Sequence, residues 1–321
     1  MTSSYDRILV TGATGFVGGR LLGHLVHSGY PVVAALRSSK SCSESVQTVL
    51  VGDLLPCTDW AEALCDVNVV IHCAARVHVM NEHAADPLDE FRRVNVQGTL
   101  QLARQAAKAG VRRFIFISSI KVNGEGTEGT PYVADEPPAP LDPYGISKME
   151  AETGLRSLAE ETGMEVIIIR PVLVYGPGVK ANFRSMMSWL CMGVPLPLGA
   201  IHNRRSLVAL DNLVDLIVTC IDHPAAGNQT FLVSDGEDLS TTELLRRMGL
   251  ALGKPVRLLP VPAALLEGAA AMLGKKNVAQ RLCGSLQVDI SRTRDLLGWA
   301  PPVSVDHALR MTADHYLAHK D

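Results

Sequence analysis

Tyr144 and Lys148 stand four residues apart in Asp142-Pro143-Tyr144-Gly145-Ile146-Ser147-Lys148. A helical pattern begins there, with Met149, Leu155, Leu158 and Ala159 apolar and Glu150, Glu152 and Glu160 polar. Residues i and i+4 share a helix face, so the spacing points a phenol and an ammonium into the same space. A phenol free in water titrates at about 10, and a neighbouring cation favours its ionised form. Such a pair can pass a proton to and from a substrate hydroxyl at neutral pH. A surface Tyr–Lys pair has the same spacing, so the preceding elements must decide between the two.

Arg7 to Val10 is a short apolar run, followed by Thr11-Gly12-Ala13-Thr14-Gly15-Phe16-Val17-Gly18 and a helical pattern to about Ser28. Glycines between a strand and a helix suit a dinucleotide: Gly12 for the tight turn, Gly15 for close approach to a pyrophosphate, Gly18 for helix packing. The helix N-terminus adds N–H donors and positive partial charge. Pro31 to Leu36 reads as a second buried strand ending at Arg37, Ser38, Ser39 and Lys40, where NAD enzymes commonly carry an acid. A guanidinium there suits a 2′-phosphate, which points to NADP(H), with NAD(H) and a merely solvated Arg37 as the alternatives. Asp53, after the strand Thr48 to Val51, is either an adenine contact or a plain loop aspartate. Val67 to Ala75 is a continuous apolar strand ending in small residues, which lets a cofactor lie against backbone. His72 within it has no second ligand at metal spacing and reads as a core histidine. Phe91 to Gly110 is an amphipathic helix carrying Asn95, and Arg112 to Ser119 is another buried strand ending in hydroxyls. Alternating strands and helices predict an α/β doubly wound parallel sheet.

Composition bounds the rest. The 321 residues leave room for one large or two smaller domains, and 47% hydrophobic with 20% charged residues is ordinary for a soluble protein. A net charge of −3 gives no electrostatic reason for binding nucleic acid or an anionic membrane. Seven cysteines (Cys42, Cys57, Cys65, Cys73, Cys191, Cys220 and Cys283) lack a CxxC pair, which fits reduced thiols in a cytoplasm. The first residues lead into a strand without a signal peptide. Pro262 to Leu273 is very apolar but contains Glu267 and is too short to span a bilayer; it reads as a buried or substrate-side helix.

Taken together and in order, TGATGFVG, the strand ending HCAA, VNVQGT, FISS with VNGE, YGISK, RPVLVYGPG, RRSLVALDNLVDLI and DLLGWAPP resemble an extended short-chain dehydrogenase/reductase of the nucleotide-sugar epimerase/dehydratase/reductase type. The resemblance implies Tyr144 as acid/base, Lys148 as its cationic neighbour and ribose ligand, and Ser119 as the hydroxyl contacting the substrate C4 oxygen. Ser118 would line the same wall, and Asn95 would support the geometry. The pattern also sets Thr14, Phe16, Val17, Leu54, Ala74, Ala75 and Pro171 along the cofactor. It implies a Rossmann part over 1–175, to which 206–236 returns, a substrate part over 176–321, and a cytoplasmic homodimer.

Three features narrow the expected reaction. Dehydratases of this type carry an Asp-Glu pair after the catalytic hydroxyl, where this chain has Ile120 and Lys121. Arg37 suits an enzyme that consumes NADPH. SSIKVNGE, GVPLPLGAIHNRRSLV and NQTFLVSDGEDLST resemble the 4-ketoreductases of surface-polysaccharide synthesis. The expected substrate is then a UDP-linked 4-keto-6-deoxy amino sugar, and the alternative is a UDP-hexose or UDP-N-acetylhexosamine 4-epimerase with bound NAD+. A non-catalytic NADP(H)-binding protein is the third reading. Lys121 is either a substrate contact or a solvated lysine. A nucleotide diphosphate needs cations, drawn from Lys180, Arg184, Arg204, Arg205 and Arg281. The resemblance favours Arg205, with Asn182 beside it; Arg281 and His202 read as surface and loop residues. Pro131 to Pro143 is a proline-rich loop leading into the catalytic helix.

Overall fold

The computed structural model describes residues 6–38, 46–77, 86–274 and 276–319, without the side chains of residues 276 and 277; Ser39, Lys40 and Cys42 lie outside the described residues. From the N-terminus the elements run β1 (Ile8–Thr11), α1 (Phe16–His27), β2 (Val32–Leu36), β3 (Gln47–Leu50), β4 (Val69–His72) and α2 (Pro87–Phe91). A π-helical segment, Arg92–Gly98, leads into α3 (Thr99–Lys108) and β5 (Arg113–Ile117). A 3-10 turn (Ile120–Val122) precedes α4 (Pro143–Thr162), β6 (Glu165–Pro171), β7 (Leu173–Tyr175) and α5 (Ala181–Met192). Then come β8 (Arg205–Ala209), α6 (Leu210–Asp222), β9 (Thr230–Val233), β10 (Asp238–Leu239) and α7 (Thr241–Ala251). The chain closes with α8 (Ala263–Met272), α9 (Lys276–Cys283), α10 (Ser291–Leu297) and α11 (Val305–Ala318).

Seven strands form one parallel sheet in the order β3-β2-β1-β4-β5-β6-β9. Because side chains alternate along a strand, each strand feeds both faces. Ile8 and Val10 join the layer of α1 and α6, whereas Leu9 joins the layer of α3 and α4. Ile115 and Ile117 divide from Phe114 and Phe116 in the same way. Burial on both faces explains why these strands read as unbroken apolar runs.

The observed strands follow the sequence pattern closely, with one informative shortening. The apolar run of 67–75 is a strand only over β4, because the ladder with β1 ends at the pair Thr11 and His72. Cys73, Ala74 and Ala75 leave the sheet there, which opens the crevice at the strand ends. A second sheet, β10-β8-β7, packs with α5, α7 and α11 around its own core. β8 lies in that small sheet, whereas α6 packs on α1 and β9 extends the large sheet. On these packings we propose that the chain returns to the nucleotide half through α6 and β9.

Of the two expectations for segment 262–273, a buried or a substrate-side helix, the buried one does not hold. No residue of α8 is buried. The helix pairs with α9 and leans only Ala263 and Leu266 on the core, leaving Leu265 and Met272 exposed. Among the described residues no helix is long and apolar enough to cross a membrane.

Candidate active site at the switch point of the sheet

Sheet order reverses between β1 and β4, and the glycine-rich turn sits at that point. Gly12 holds a φ of +68°, which an L side chain rarely adopts, and a Cβ there would lie 2.7 Å from the Ala74 nitrogen. A Cβ on Gly18 would lie 2.2 Å from the Gly12 carbonyl oxygen, so α1 rests directly on the turn. Gly15 caps α1 with no side-chain hydrogen bond, leaving the first-turn N–H groups for an anion. The residues present fit a dinucleotide: a side-chain-free cradle, a helix N-terminus and small residues opposite. Exposed Thr14 and half-buried Phe16 and Val17 flank the turn, half-buried Ala74 and Ala75 face it at the end of β4, and buried Pro171 ends β6. Leu54 is held under the π-helical segment, where a Cβ on Gly98 would meet its Cγ at 2.8 Å. Arg37 follows β2 with its Nε 3.9 Å from the Asp53 carboxylate, and both side chains are mostly exposed.

Asp142 caps α4, its Oδ1 accepting from the Gly145 N–H at 2.7 Å, and Pro143 occupies the first helical position. Tyr144 and Lys148 then share one face, with the Lys148 ammonium 5.9 Å from the Tyr144 ring centroid. Lys148 donates to the Ile117 carbonyl at 2.8 Å and stands 4.3 Å from the centroid of Phe116. Burial draws its pKa down to about 8 against the pull of Cys73 and Glu152. The half-buried Tyr144 ring meets Phe91 edge-on at 6.1 Å, and its hydroxyl makes no hydrogen bond among the described residues.

One expectation reverses here. On the chain's own groups, burial and then the charge of Asp142 push the Tyr144 phenol up, not down. Lys148 keeps its ammonium on the Ile117 carbonyl, 5.9 Å from the ring centroid, and is not among the groups that set the direction of this shift.

Ser119 follows β5, half-buried, and its Oγ accepts from the Lys121 N–H at 3.2 Å as cap of the 3-10 turn. Ser118 departs from its expected place on the substrate wall. Its hydroxyl is buried and donates to Glu152 at 2.6 Å, so we reassign it to support of α4. That Glu152 receives a two-pronged contact from Arg170, at 2.9 and 2.6 Å, and Arg170 reaches on to Asn123 at 2.9 Å. Asn95 is buried in the π-helical segment, a local form that recurs at functional sites. Its amide bonds the Arg76 backbone and donates to Ser147 Oγ, which in turn donates to the Tyr144 carbonyl. Asn95 therefore ties the chain leaving β4 to the first turn of α4. His72 is fully buried between the hydroxyls of Thr11 (2.7 Å) and Thr99 (2.9 Å). Burial and then Lys148 hold its pKa down at about 3, as fits a neutral core histidine.

Lys121 projects to Glu125 at 2.8 Å and also to Asp142, with which it pairs closely. On the substrate side, Arg205 on β8 donates to the Gly284 carbonyl at 3.0 Å. Burial, then the nearby Arg281, lower its pKa. Two guanidiniums close enough for one to feel the other's charge suit a shared anion. Arg281 was read from the sequence as a surface residue; it is exposed, but α9 carries it beside Arg205. Asn182 is exposed in the first turn of α5, and His202 is exposed in a loop.

A model of the NAD-dependent epimerase/dehydratase family matches residues 8–234 of the chain. The chain belongs to that family. It is 51% identical over 313 residues to a UDP-glucose 4-epimerase of Vibrio cholerae, covering 97% of this chain and 95% of that protein. An undecaprenol-diphosphate-linked N-acetylglucosamine 4-epimerase of Escherichia coli O157:H7 is 28% identical, covering 98% of this chain and 96% of that one. The UDP-glucose 4-epimerase of Thermotoga maritima, solved with UDP-glucose, superposes with a TM-score of 0.77 at 22% identity over 98% of this chain and all of that one. The UDP-glucuronic acid 4-epimerase of Bacillus cereus, solved with NAD, gives 0.78 at 21% identity over 98% and 100%. At those identities the two structures show that the epimerase/dehydratase family member has their fold.

Proposed function

We propose that the protein is a nucleotide-sugar 4-epimerase acting on a UDP-linked hexose or N-acetylhexosamine. The observation that carries this reading is the 51% identity, spanning nearly the whole of both chains, to a UDP-glucose 4-epimerase. Support comes from Ile120 and Lys121, which stand where an eliminating enzyme needs an acid and a base.

A dinucleotide whose pyrophosphate is held at the β1–α1 turn would supply a nicotinamide that takes up and returns a hydride at the sugar C4. Tyr144 accepts the proton of the C4 hydroxyl as that carbon becomes a ketone, and returns it afterwards. Ser119 donates a hydrogen bond to the same oxygen, stabilising charge that develops on it. Lys148 fixes the ribose and keeps a positive charge below the phenol. Arg205 and Arg281 hold the diphosphate, and Asn182 lines the sugar side. Proton and hydride both return, so no reductant is consumed. A cytoplasmic homodimer belongs to the same proposal, with light scattering as its check.

One observation favours a second reading. Arg37 at the end of β2 suits NADPH, which a 4-ketoreductase acting on a UDP-4-keto-6-deoxy-N-acetylhexosamine would consume. The separating experiment incubates purified protein with UDP-glucose or UDP-N-acetylglucosamine and no added cofactor, and separately with the 4-keto sugar and NADPH. Appearance of the C4 epimer supports the epimerase. Nicotinamide oxidation with the keto sugar alone supports the reductase, and failure of both sinks the two readings together.

A further inference from the structure

Lys121 touches the supports of both reacting groups. Its N–H donates to the Ser119 hydroxyl at 3.2 Å, and its ammonium bridges Glu125 and Asp142. Asp142 is the residue whose other oxygen caps α4, two positions before Tyr144. The backbone agrees: a Cβ on Gly145 would come within 2.8 Å of the Lys121 carbonyl oxygen, so the 3-10 turn abuts the first turn of α4. We propose that Lys121 is a positioning residue that locks the Ser119 turn to the cap of α4 and screens Asp142 from Tyr144, and that it does not bind substrate. The proposal rests on the C4 acid/base reading of Tyr144 and Ser119.

Among the described residues, the charges around Tyr144 come from few places. Its own helix supplies Asp142 and Lys148, and the 3-10 side supplies Lys121 with Glu125. α2 presents the Phe91 ring, with the Arg76 guanidinium 5.6 Å from that ring's centroid. Asp142 disfavours the phenolate, and Lys121, paired with Asp142, would offset it. Removing the lysine charge therefore makes Tyr144 a base only at higher pH. Removing the Asp142 charge does the reverse and spares the cap, since asparagine caps as well as aspartate.

The test is a pH–rate profile for the holoenzyme and four variants. In Lys121→Met the rising limb should move up by about half a pH unit or more, kcat at neutral pH should fall several-fold, and KM should stay within about twofold. Lys121→Arg should restore the limb. Asp142→Asn should move it down, and Lys121→Met/Asp142→Asn should match Asp142→Asn alone, because the lysine would act through the aspartate. An unmoved limb in Lys121→Met, or a raised KM with unchanged kcat, overturns the proposal. If wild type turns over no UDP-sugar, the function reading has failed instead. Lys121 is then judged by tyrosinate absorbance with NAD bound, using Tyr144→Phe to subtract the other tyrosines: an unshifted Tyr144 titration in Lys121→Met overturns it.

Discussion

Two ionic clusters flank Tyr144, one beneath its helix and one at the rim. Beneath, Glu152 and Arg170 keep 1% and 2% of their side chains exposed, and Ser118, Asn123 and Arg156 complete their hydrogen bonds. At the rim, Lys121, Glu125 and Asp142 retain 31%, 29% and 28% exposure. The chemistry is the same, carboxylate against cation, but solvent changes what each can do. A buried pair whose lone pairs are all met fixes geometry, and breaking it strands a charge. A half-solvated pair adds little stability, yet its field still reaches a neighbouring phenol. The cluster beneath α4 thus holds the helix, and the rim cluster adjusts what the helix carries.

The largest effect should come from the group between the clusters. Tyr144→Phe removes the proton and nothing either cluster uses, so turnover should fall by about 10²–10⁴-fold while cofactor affinity and melting temperature stay near wild type. Near-normal turnover would remove Tyr144 from the acid/base role. A comparable loss on a different axis is expected from Glu152→Gln. Arg170 would be left buried without its counter-ion, at a cost of about 3–5 kcal/mol read by urea unfolding. If Glu152→Gln unfolded no more easily than Glu125→Gln at the rim, the contrast between the clusters would collapse.

The two clusters were also unequally legible in the sequence. Gly12, Gly15, Gly18, Tyr144 and Lys148 sit in short local motifs, and the strand–helix alternation that carries them follows from apolar periodicity. Glu152 and Arg170 meet only because α4 and β6 pack together. The one available signal was a charge at the end of a strand otherwise apolar over Val166 to Ile169, and a carboxylate on the helix face bearing Leu155. Ser118 looked like a substrate hydroxyl because its neighbour is placed to be one; alternation along the chain turned it into the core. Arg281 becomes visible as a partner of Arg205 only once the Arg205–Leu286 bridge brings the chain after α9 alongside β8. The direction of the Tyr144 shift was missed for a related reason: spacing reveals a neighbouring cation but not the depth of burial that opposes it.

A third buried polar group sharpens the rule. His72 is neutral at a folded pKa of about 3 against an ordinary 6.5. Between those values the unfolded chain binds the extra proton, so stability is complete above about pH 6.5 and is lost as pH falls toward 3, by at most about 1.4 kcal/mol per pH unit. His72→Gln keeps a donor and an acceptor for Thr11 and Thr99 without titrating. Between pH 7 and pH 5 wild type should lose about 2 kcal/mol more than this variant. Equal losses would mean that the imidazole is charged or hydrated in the fold.

At the far exposed end of the scale stands Arg37 with Asp53, 79% and 68% exposed and 3.9 Å apart. Solvent screens such a pair, so its loss should leave the melting temperature unchanged. Its influence is confined to whatever lies against it, which in the proposed dinucleotide site would be the adenosine ribose at the end of β2. Arg37→Asp should therefore act on cofactor choice alone, lowering the ratio of NADPH to NADH affinity by about tenfold, the size of one charge-assisted contact to a phosphate. Isothermal titration with both nucleotides reads the ratio. A ratio that stays put would leave Arg37 as the solvated partner of Asp53, and would leave the reductase reading to the sequence resemblance alone.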